Sequence, residues 1–176
     1  MPKNTAPQPG EGRFAPVDEI CRLGVADLAK KIRGRSVSIA EVAAAYLDRI
    51  ETVNGHVNAL VSLRPAADVL READRADARL AAGESVGALF GVPLAVKDLA
   101  QTKGLRTTFG SPLFSAHVPD VDDYFVERLR AAGAILIGKT NVPEFGFGSN
   151  TYNPVFGATA NAYDPALTAG GSSGGA

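Results

Sequence analysis

The sequence predicts an α/β fold in which helices precede a parallel strand–helix–strand unit. A helix start at residue 38 is followed by apolar residues at helical spacing. Two apolar runs, at 88–96 and 134–137, have the length and continuity of strands buried on both faces of a sheet. A helical pattern at 122–132 lies between these runs, and this succession predicts a right-handed βαβ unit.

The composition is typical of one soluble globular domain. The chain has 176 residues, of which 45% are hydrophobic and 21% are charged. A net charge of −1 without any Lys/Arg block argues against nucleic acid or an anionic membrane as partner. The sequence shows no membrane span and no signal peptide, and its single cysteine, Cys21, suits a reducing compartment. We therefore expect a cytoplasmic protein.

The elements before residue 88 are predicted to be mainly helical. Residues 1–16 are rich in Pro, Gly and polar side chains and predict a disordered tail ahead of a domain at 17–176. Ser38 begins a capping box, and its helix is expected to end near Val53. A short β segment at 58–63 and a second helix with a charged, solvated face at 65–83 follow.

Fewer sequence signals identify the elements that follow the first buried strand. Threonines predict a β segment and a turn at 104–110. In the helix between the two buried strands, Phe125 and Leu129 are expected to face inward. From Thr140 onward the chain is predicted to be loop-like, with at most a short helix at Pro143. A long irregular segment at a sheet edge is typical of a functional site.

Residues 133–140 match the phosphate-loop pattern G-x-x-x-x-G-K-T. A phosphate loop follows a strand and opens a helix, whereas this segment follows a predicted helix. Its four intervening residues, Ala-Ile-Leu-Ile, are themselves predicted to form the strand. We therefore interpret the match as accidental.

The candidate chemistry consists of a lysine and a glycine-flanked pair of serines. Residues 170–175 read Gly-Gly-Ser-Ser-Gly-Gly, a composition that also occurs in flexible linkers. Lys97 ends an apolar strand, a position from which lysines usually extend to solvent. If Lys97 is buried instead, loss of solvation favours its neutral amine, which can serve as a general base for a serine. His56 and His117 lie in polar loop contexts and are interpreted as surface residues without a role.

Three blocks, at 91–98, 138–148 and 170–175, together resemble the N-terminal part of the amidase signature family of serine hydrolases. The resemblance runs from about Leu28 to the end of the chain. It implies an α/β fold with a mixed sheet flanked by helices, incomplete at the C-terminus. It also implies hydrolysis of a carboxylic amide C–N bond through an acyl-enzyme, with a small-molecule amide substrate and no cofactor or metal.

The resemblance assigns roles to individual residues. Lys97 is expected to be the base and Ser172 the bridging serine of a Ser-cisSer-Lys triad, with a cis peptide bond that Gly170 and Gly171 help to accommodate. Ser173 is expected to be a hydrogen-bonding neighbour, and the glycines after it are expected to open a helix. A wall of the acyl pocket is expected at Phe145, Gly146, Phe147, Gly148 and Ser149.

The chain departs from the family pattern in two places. Ala162 stands where many members have proline. The sequence ends at Ala176, whereas the family's nucleophilic serine and oxyanion hole lie in a later glycine-rich stretch. We therefore expect the 176-residue chain to be inactive alone.

Two alternatives to a free-standing amidase stay open. One is the glutaminase subunit of a tRNA-dependent amidotransferase, although those subunits usually read Met-Asp-Glu-Phe-Ala-Met where residues 142–147 read Val-Pro-Glu-Phe-Gly-Phe. The other is a truncated remnant without catalysis. The sequence leaves the substrate and the oligomeric state undetermined, and a homo-oligomer is one of the states left open.

Overall fold

The computed structural model describes residues 17–175, and the predicted tail at 1–16 lies outside the described residues. Short 3-10 turns occupy Ile20–Arg22, Pro112–Phe114 and Glu144–Gly146. The regular elements are, in chain order, α1 (Val25–Arg33), α2 (Ile39–Val57), β1 (Leu60–Val61), α3 (Ala66–Ala81), β2 (Pro93–Lys97), α4 (Tyr124–Ala131), β3 (Ile135–Thr140), β4 (Tyr152–Asn153) and β5 (Gly157–Ala158).

The central sheet has three strands in the order β1-β3-β2. β3 runs parallel to β2 and antiparallel to β1, so the sheet is mixed. The succession β2, α4, β3 is the predicted strand–helix–strand unit with parallel strands. A register shift between Leu94 and Ala95 places Lys97 opposite Thr140. The α/β class and the mixed sheet flanked by helices are confirmed.

Local hydrogen bonds fix both ends of α2. The capping box is formed as predicted, because Ser38 Oγ accepts from the Glu41 backbone N–H and the Glu41 side chain accepts from Ser38. Asp77 of α3 reinforces this start by accepting from two further backbone N–H groups of the first turn. The helix continues past the predicted end at Val53 to Val57, since its stop signal is Asn58 in a left-handed conformation (φ 52°).

Helices cover both faces of the sheet. The larger core lies between α1, α2 and α3 and the sheet, with Ile135 and Ile137 as its strand residues. On the other face, Val126 of α4 packs with Val96 and Leu136. The prediction that Phe125 faces inward is wrong: its side chain is 50% exposed. Val126, one residue and about 100° further round the helix, occupies the inward position instead.

The first buried strand is shorter than predicted. Residues 88–92 form turns, and β2 begins only at Pro93. The turn is anchored to the end of α4, because the N–H of Gly91 donates to the carbonyl of Gly133. Gly91 has a positive φ of 78° and packs against the Ile39 side chain, where a Cβ would collide.

The second buried strand is longer than predicted, since β3 continues through Gly138 and Lys139 to Thr140. A strand at these positions agrees with the interpretation of the phosphate-loop match as accidental. The β segment predicted at 104–110 is wrong, whereas the predicted turn is formed. These residues lie in turns and irregular backbone, in which Thr107 and Thr108 bond to the buried side chains of Lys139 and Asp98. None of the helices in the described part of the chain combines the length and the apolarity that a membrane-spanning segment needs.

Candidate active site

Lys97 contacts both serines of the glycine–serine segment, residues 170–175. Lys97 is the last residue of β2, and its half-buried side chain extends from the sheet face that α2 covers. Its Nζ donates to Ser173 Oγ at 2.9 Å and to Ser172 Oγ at 3.2 Å. The serines lie 75 and 76 residues further along the chain, so only the fold brings these groups together.

Thr151 holds the glycine–serine segment against the domain. Its Oγ1 accepts from the N–H of Gly174 and donates to the carbonyl of Gly171, both at 2.9 Å. Thr151 is fully buried, so these bonds are shielded from water. Gly175 lies so close to backbone atoms of the domain that no Cβ fits there. The segment is therefore packed into the fold, unlike a flexible linker.

The backbone at the serines differs from the expectation in two respects. The residues that the structure describes contain no cis peptide bond, so the expected cis bond at Ser172 is absent. Gly170 and Gly171 turn the chain with positive φ angles of 71° and 61°, which glycine adopts without steric cost. Residues 172–175 form a turn and not the start of a helix.

Buried amide side chains organise the irregular segment after β3. Asn153 Nδ2 donates to Asn141 Oδ1 and to the carbonyl of Val142, both at 2.7 Å. Asn141 Nδ2 donates to Thr159 Oγ1, which donates in turn to the carbonyl of Asn58 at the end of α2. This network fixes the hairpin β4–β5 and thereby the position of Thr151, whose carbonyl accepts from the N–H of Thr159.

Two fully buried charged side chains, Asp98 and Lys139, lie next to the site. Asp98 follows Lys97 and accepts from the backbone N–H and the Oγ1 of Thr108. Burial raises the pKa of the Asp98 carboxyl, although these hydrogen bonds and Lys139 oppose the shift. Burial lowers the pKa of Lys139 to about 8, against the attraction of Asp98. Lys139 Nζ donates to the carbonyl of Ala100 and to the hydroxyls of Thr102 and Thr107.

The expected acyl-pocket wall, residues 145–149, lies beside the loop that follows Lys97. The N–H of Phe145 donates to the carbonyl of Phe109 at 2.7 Å, and Gly146 packs against the Leu99 side chain. Phe145 has a positive φ of 50° and stacks edge-to-face on Phe114. The remainder of the wall is exposed, at Phe147, Gly148 and Ser149.

A cleft of about 550 Å³ adjoins the contact between Lys97 and Ser173. Its walls are mainly apolar, with Ala95 and Ile137 of the sheet facing Ile50 of α2. The polar groups along it include Tyr46, Arg49 and Cys21. The cleft is large enough for a small organic group beside the lysine.

Neither histidine belongs to the Lys97 contacts. His56 is exposed, as expected, but lies in the last turn of α2 and not in a loop. His117 is half-buried and stacks on the ring of Phe109 with a centroid distance of 6.1 Å. Across the described part of the chain, no cluster of three or more His, Cys, Asp or Glu side chains could hold a metal ion.

Sequence reasoning missed Lys139, Asp98 and Thr151 as parts of the site's framework. A usable signal existed for Lys139, which stands two residues after the apolar run at 134–137. Asp98 stands directly after a buried strand, where a carboxylate requires compensating donors. No local pattern identifies Thr151, because its partners are 20 and 23 residues away.

A family model described as Amidase matches residues 41–176. The chain is 42% identical over 162 residues to a glutamyl-tRNA(Gln) amidotransferase subunit from Anaeromyxobacter sp. (strain K), covering 92% of this chain and 32% of that protein. It is 44% identical over 160 residues to the protein of the same name from Cutibacterium acnes (strain DSM 16379 / KPA171202), covering 91% and 32%. The chain thus spans about a third of the length of these relatives.

Solved structures show the same fold. Native peptide amidase from Stenotrophomonas maltophilia aligns with a TM-score of 0.81 and 32% identity, covering 89% of this chain and 33% of that one. A bacterial aryl acylamidase aligns with a TM-score of 0.80 and 32% identity, covering 88% and 32%. Fatty acid amide hydrolase aligns with a TM-score of 0.81 and 28% identity, covering 89% and 27%.

Proposed function

The chain belongs to the amidase signature family, and from that membership we propose that it carries the lysine and one serine of an amide-hydrolysing site. The observation that supports this proposal most directly is the contact of Lys97 Nζ with the hydroxyls of Ser172 and Ser173, at 3.2 and 2.9 Å. A base within hydrogen-bond reach of a serine is the geometry that nucleophilic catalysis requires. The proposed substrate is a small-molecule carboxylic amide.

In the proposed reaction, Lys97 is the general base and Ser172 carries protons between it and a nucleophilic serine. That serine gives its proton to Ser172, whose own proton passes to the neutral amine of Lys97. The nucleophile's oxygen then bonds to the amide carbon, the C–N bond breaks, and the leaving amine takes a proton through the same relay. Water hydrolyses the resulting ester to release the acid. Side chains and water supply every step, so we propose no cofactor.

The other candidate residues have supporting roles in this proposal. Ser173 helps to orient the Lys97 amine, to which it makes the shorter contact. Gly170 and Gly171 provide the turn that presents the two hydroxyls. Residues 145–149 form one wall of the acyl pocket. The hydrogen bond from the N–H of Phe145 to the carbonyl of Phe109 holds this wall beside the loop that follows Lys97.

The proposal assigns the nucleophilic serine and the oxyanion hole to a stretch after residue 176. It therefore expects the 176-residue chain to lack turnover while a protein extended through the downstream reading frame is active. Removing an oxyanion donor alone costs about 10²–10³-fold in rate, and removing the nucleophile costs more.

Labelling with a fluorophosphonate probe tests this assignment. Both chain lengths are treated with the probe and assayed for amide turnover, alongside Ser172→Ala and the exposed control Ser115→Ala in the longer chain. We expect labelling and turnover only in the longer chain, loss of turnover in Ser172→Ala and normal turnover in Ser115→Ala. Turnover by the 176-residue chain would place the nucleophile at Ser172 or Ser173. Two folded but unreactive chains would favour the non-catalytic remnant.

A second candidate function is the glutaminase subunit of a tRNA-dependent amidotransferase. The observation in its favour is the 42–44% identity to proteins named as subunits of glutamyl-tRNA(Gln) amidotransferase. The block Val-Pro-Glu-Phe-Gly-Phe at 142–147 favours the free-standing amidase instead. Ammonia release decides between them: a glutaminase subunit hydrolyses glutamine in the presence of partner subunits and tRNA, and a free-standing amidase hydrolyses simple amides alone.

A further inference from the structure

Lys139 and Asp98 direct their side-chain hydrogen bonds to one loop, residues 98–110, which leads away from Lys97. We propose that this buried pair positions two parts of the active site, the amine of Lys97 and the wall at 145–149. Neither side chain is assigned contact with the substrate, so both are positioning residues. The inference rests on the proposed function, because that function identifies Lys97 as the base and residues 145–149 as the pocket wall.

Lys139 binds the loop at Ala100, Thr102 and Thr107. On β3 it lies opposite Val96, so its side chain leaves the sheet on the face away from Lys97. The amine is fully buried and donates to the carbonyl of Ala100 and to Thr102 and Thr107. Burying an ammonium group costs several kcal/mol unless such acceptors compensate it. An apolar side chain at this position would fill the core without that cost.

Asp98 binds the end of the loop at Thr108 and Phe109. Its carboxylate accepts from the Oγ1 of Thr108 at 2.6 Å and from the backbone N–H of Thr108 at 3.1 and 3.2 Å. Its carbonyl accepts from the N–H of Phe109, and its own N–H donates to the carbonyl of Thr140. These bonds attach both ends of the loop to the end of the sheet from which the Lys97 side chain extends.

The loop connects the proposed base to the proposed pocket wall. At its start, the carbonyl of Lys97 accepts from the N–H of Ala100. At its end, the carbonyl of Phe109 accepts from the N–H of Phe145, and Gly110 packs against the backbone of Glu144. A displacement of the loop therefore moves the base and the wall together.

Burial and four charged side chains set the pKa of Lys139. Burial lowers the pKa to about 8 and Arg130 adds to this effect, while Asp98, Asp123 and Asp122 favour the protonated form. The amine therefore changes charge near pH 8, while its position is set by the three acceptors on the loop.

The test measures how readily Lys97 is acylated by acetic anhydride in the 176-residue chain, with each lysine resolved by peptide mass spectrometry. Lys30 and Lys31, exposed on α1, provide internal references. In Lys139→Met we expect the modification rate of Lys97 to rise about fivefold relative to these references, because loss of the loop contacts releases its backbone. Val69→Ala, a fully buried site on α3 in the larger core, is the control for general destabilisation and leaves the ratio unchanged.

A milder variant keeps the test decisive if Lys139→Met does not fold. Thr107→Val preserves the shape of a buried side chain and removes one acceptor of Lys139, so a smaller rise is expected. An unchanged Lys97 ratio in folded Lys139→Met or Thr107→Val would overturn the positioning role. In the longer, active protein, both variants should raise KM and lower kcat. The labelling ratio requires no catalysis, so it tests the positioning role alone. Failure of the proposed function would appear in a different measurement, as unimpaired turnover in Ser172→Ala.

Discussion

Replacing Gly175 with alanine should displace the glycine–serine segment from Lys97. A Cβ at Gly175 would lie 2.4 Å from the carbonyl oxygen of Ala59, 2.5 Å from the amide nitrogen of Asn141 and 2.9 Å from the Cβ of Thr140. The two closest atoms belong to the backbone beside the sheet, so the segment itself must move. Ordinary contact begins at 3.4 Å, and the required displacement is therefore about 1 Å.

A displacement of this size disrupts the contact on which the proposed chemistry depends. Lys97 Nζ lies 2.9 Å from Ser173 Oγ and 3.2 Å from Ser172 Oγ, so a 1 Å separation takes both beyond hydrogen-bond distance. Misplacing reacting groups by about 1 Å costs on the order of 10²-fold in rate. We expect a loss of that order in kcat/KM when Gly175→Ala is introduced into the extended protein for which we propose activity.

A matched control is Gly55→Ala, since Gly55 lies within α2 and a Cβ there meets no atom within 4 Å. This change should leave activity unaltered and stabilise the helix by about 0.5–1 kcal/mol. In the 176-residue chain, hydrogen exchange at Gly174, whose N–H bonds to Thr151, should accelerate in Gly175→Ala alone. Unaltered exchange and unaltered kcat/KM in Gly175→Ala would refute the reasoning.

Further changes test the framework around the site. Folding lowers the pKa of Lys139 from 10.5 to about 8, so the unfolded chain binds more protons between these values. In urea unfolding, the free energy of unfolding of the parent chain should therefore rise relative to that of Lys139→Met, by about 3 kcal/mol from pH 8 to pH 10.5. No change in this difference would show that Lys139 titrates normally. Ser38→Ala should cost about 1 kcal/mol in the same assay, with Ser115→Ala neutral. Thr151→Val should accelerate hydrogen exchange at Gly174 while the helices stay protected, and equal protection in both proteins would contradict its anchoring role.

The sequence predicted those features that depend on neighbouring residues. The capping box at Ser38 is a three-residue pattern and forms as expected. The succession of strand, helix and strand follows from apolar periodicity, and the parallel pairing of β2 and β3 agrees with it. The juxtaposition of Lys97 with Ser172 was available only through the resemblance to a family, since 75 residues separate them.

The features that sequence reasoning missed depend on contacts between distant residues. Threonines at 104–110 suggested a strand, but Thr107 and Thr108 bond to the buried charges of Lys139 and Asp98 and hold the chain in turns. The hydrophobicity of Phe125 favoured an inward position, whereas the packing of α4 on the sheet selects Val126.

The central claim is that Lys97 is the base of an amide-hydrolysing site. The most direct test is the rate of amide hydrolysis by the extended protein of the proposed function carrying Lys97→Met. The control is Lys103→Met, which replaces an exposed lysine on the following loop. The account predicts that Lys97→Met loses at least about 10³-fold in kcat while Lys103→Met retains the parent rate. A Lys97→Met protein that keeps the parent rate would contradict the account.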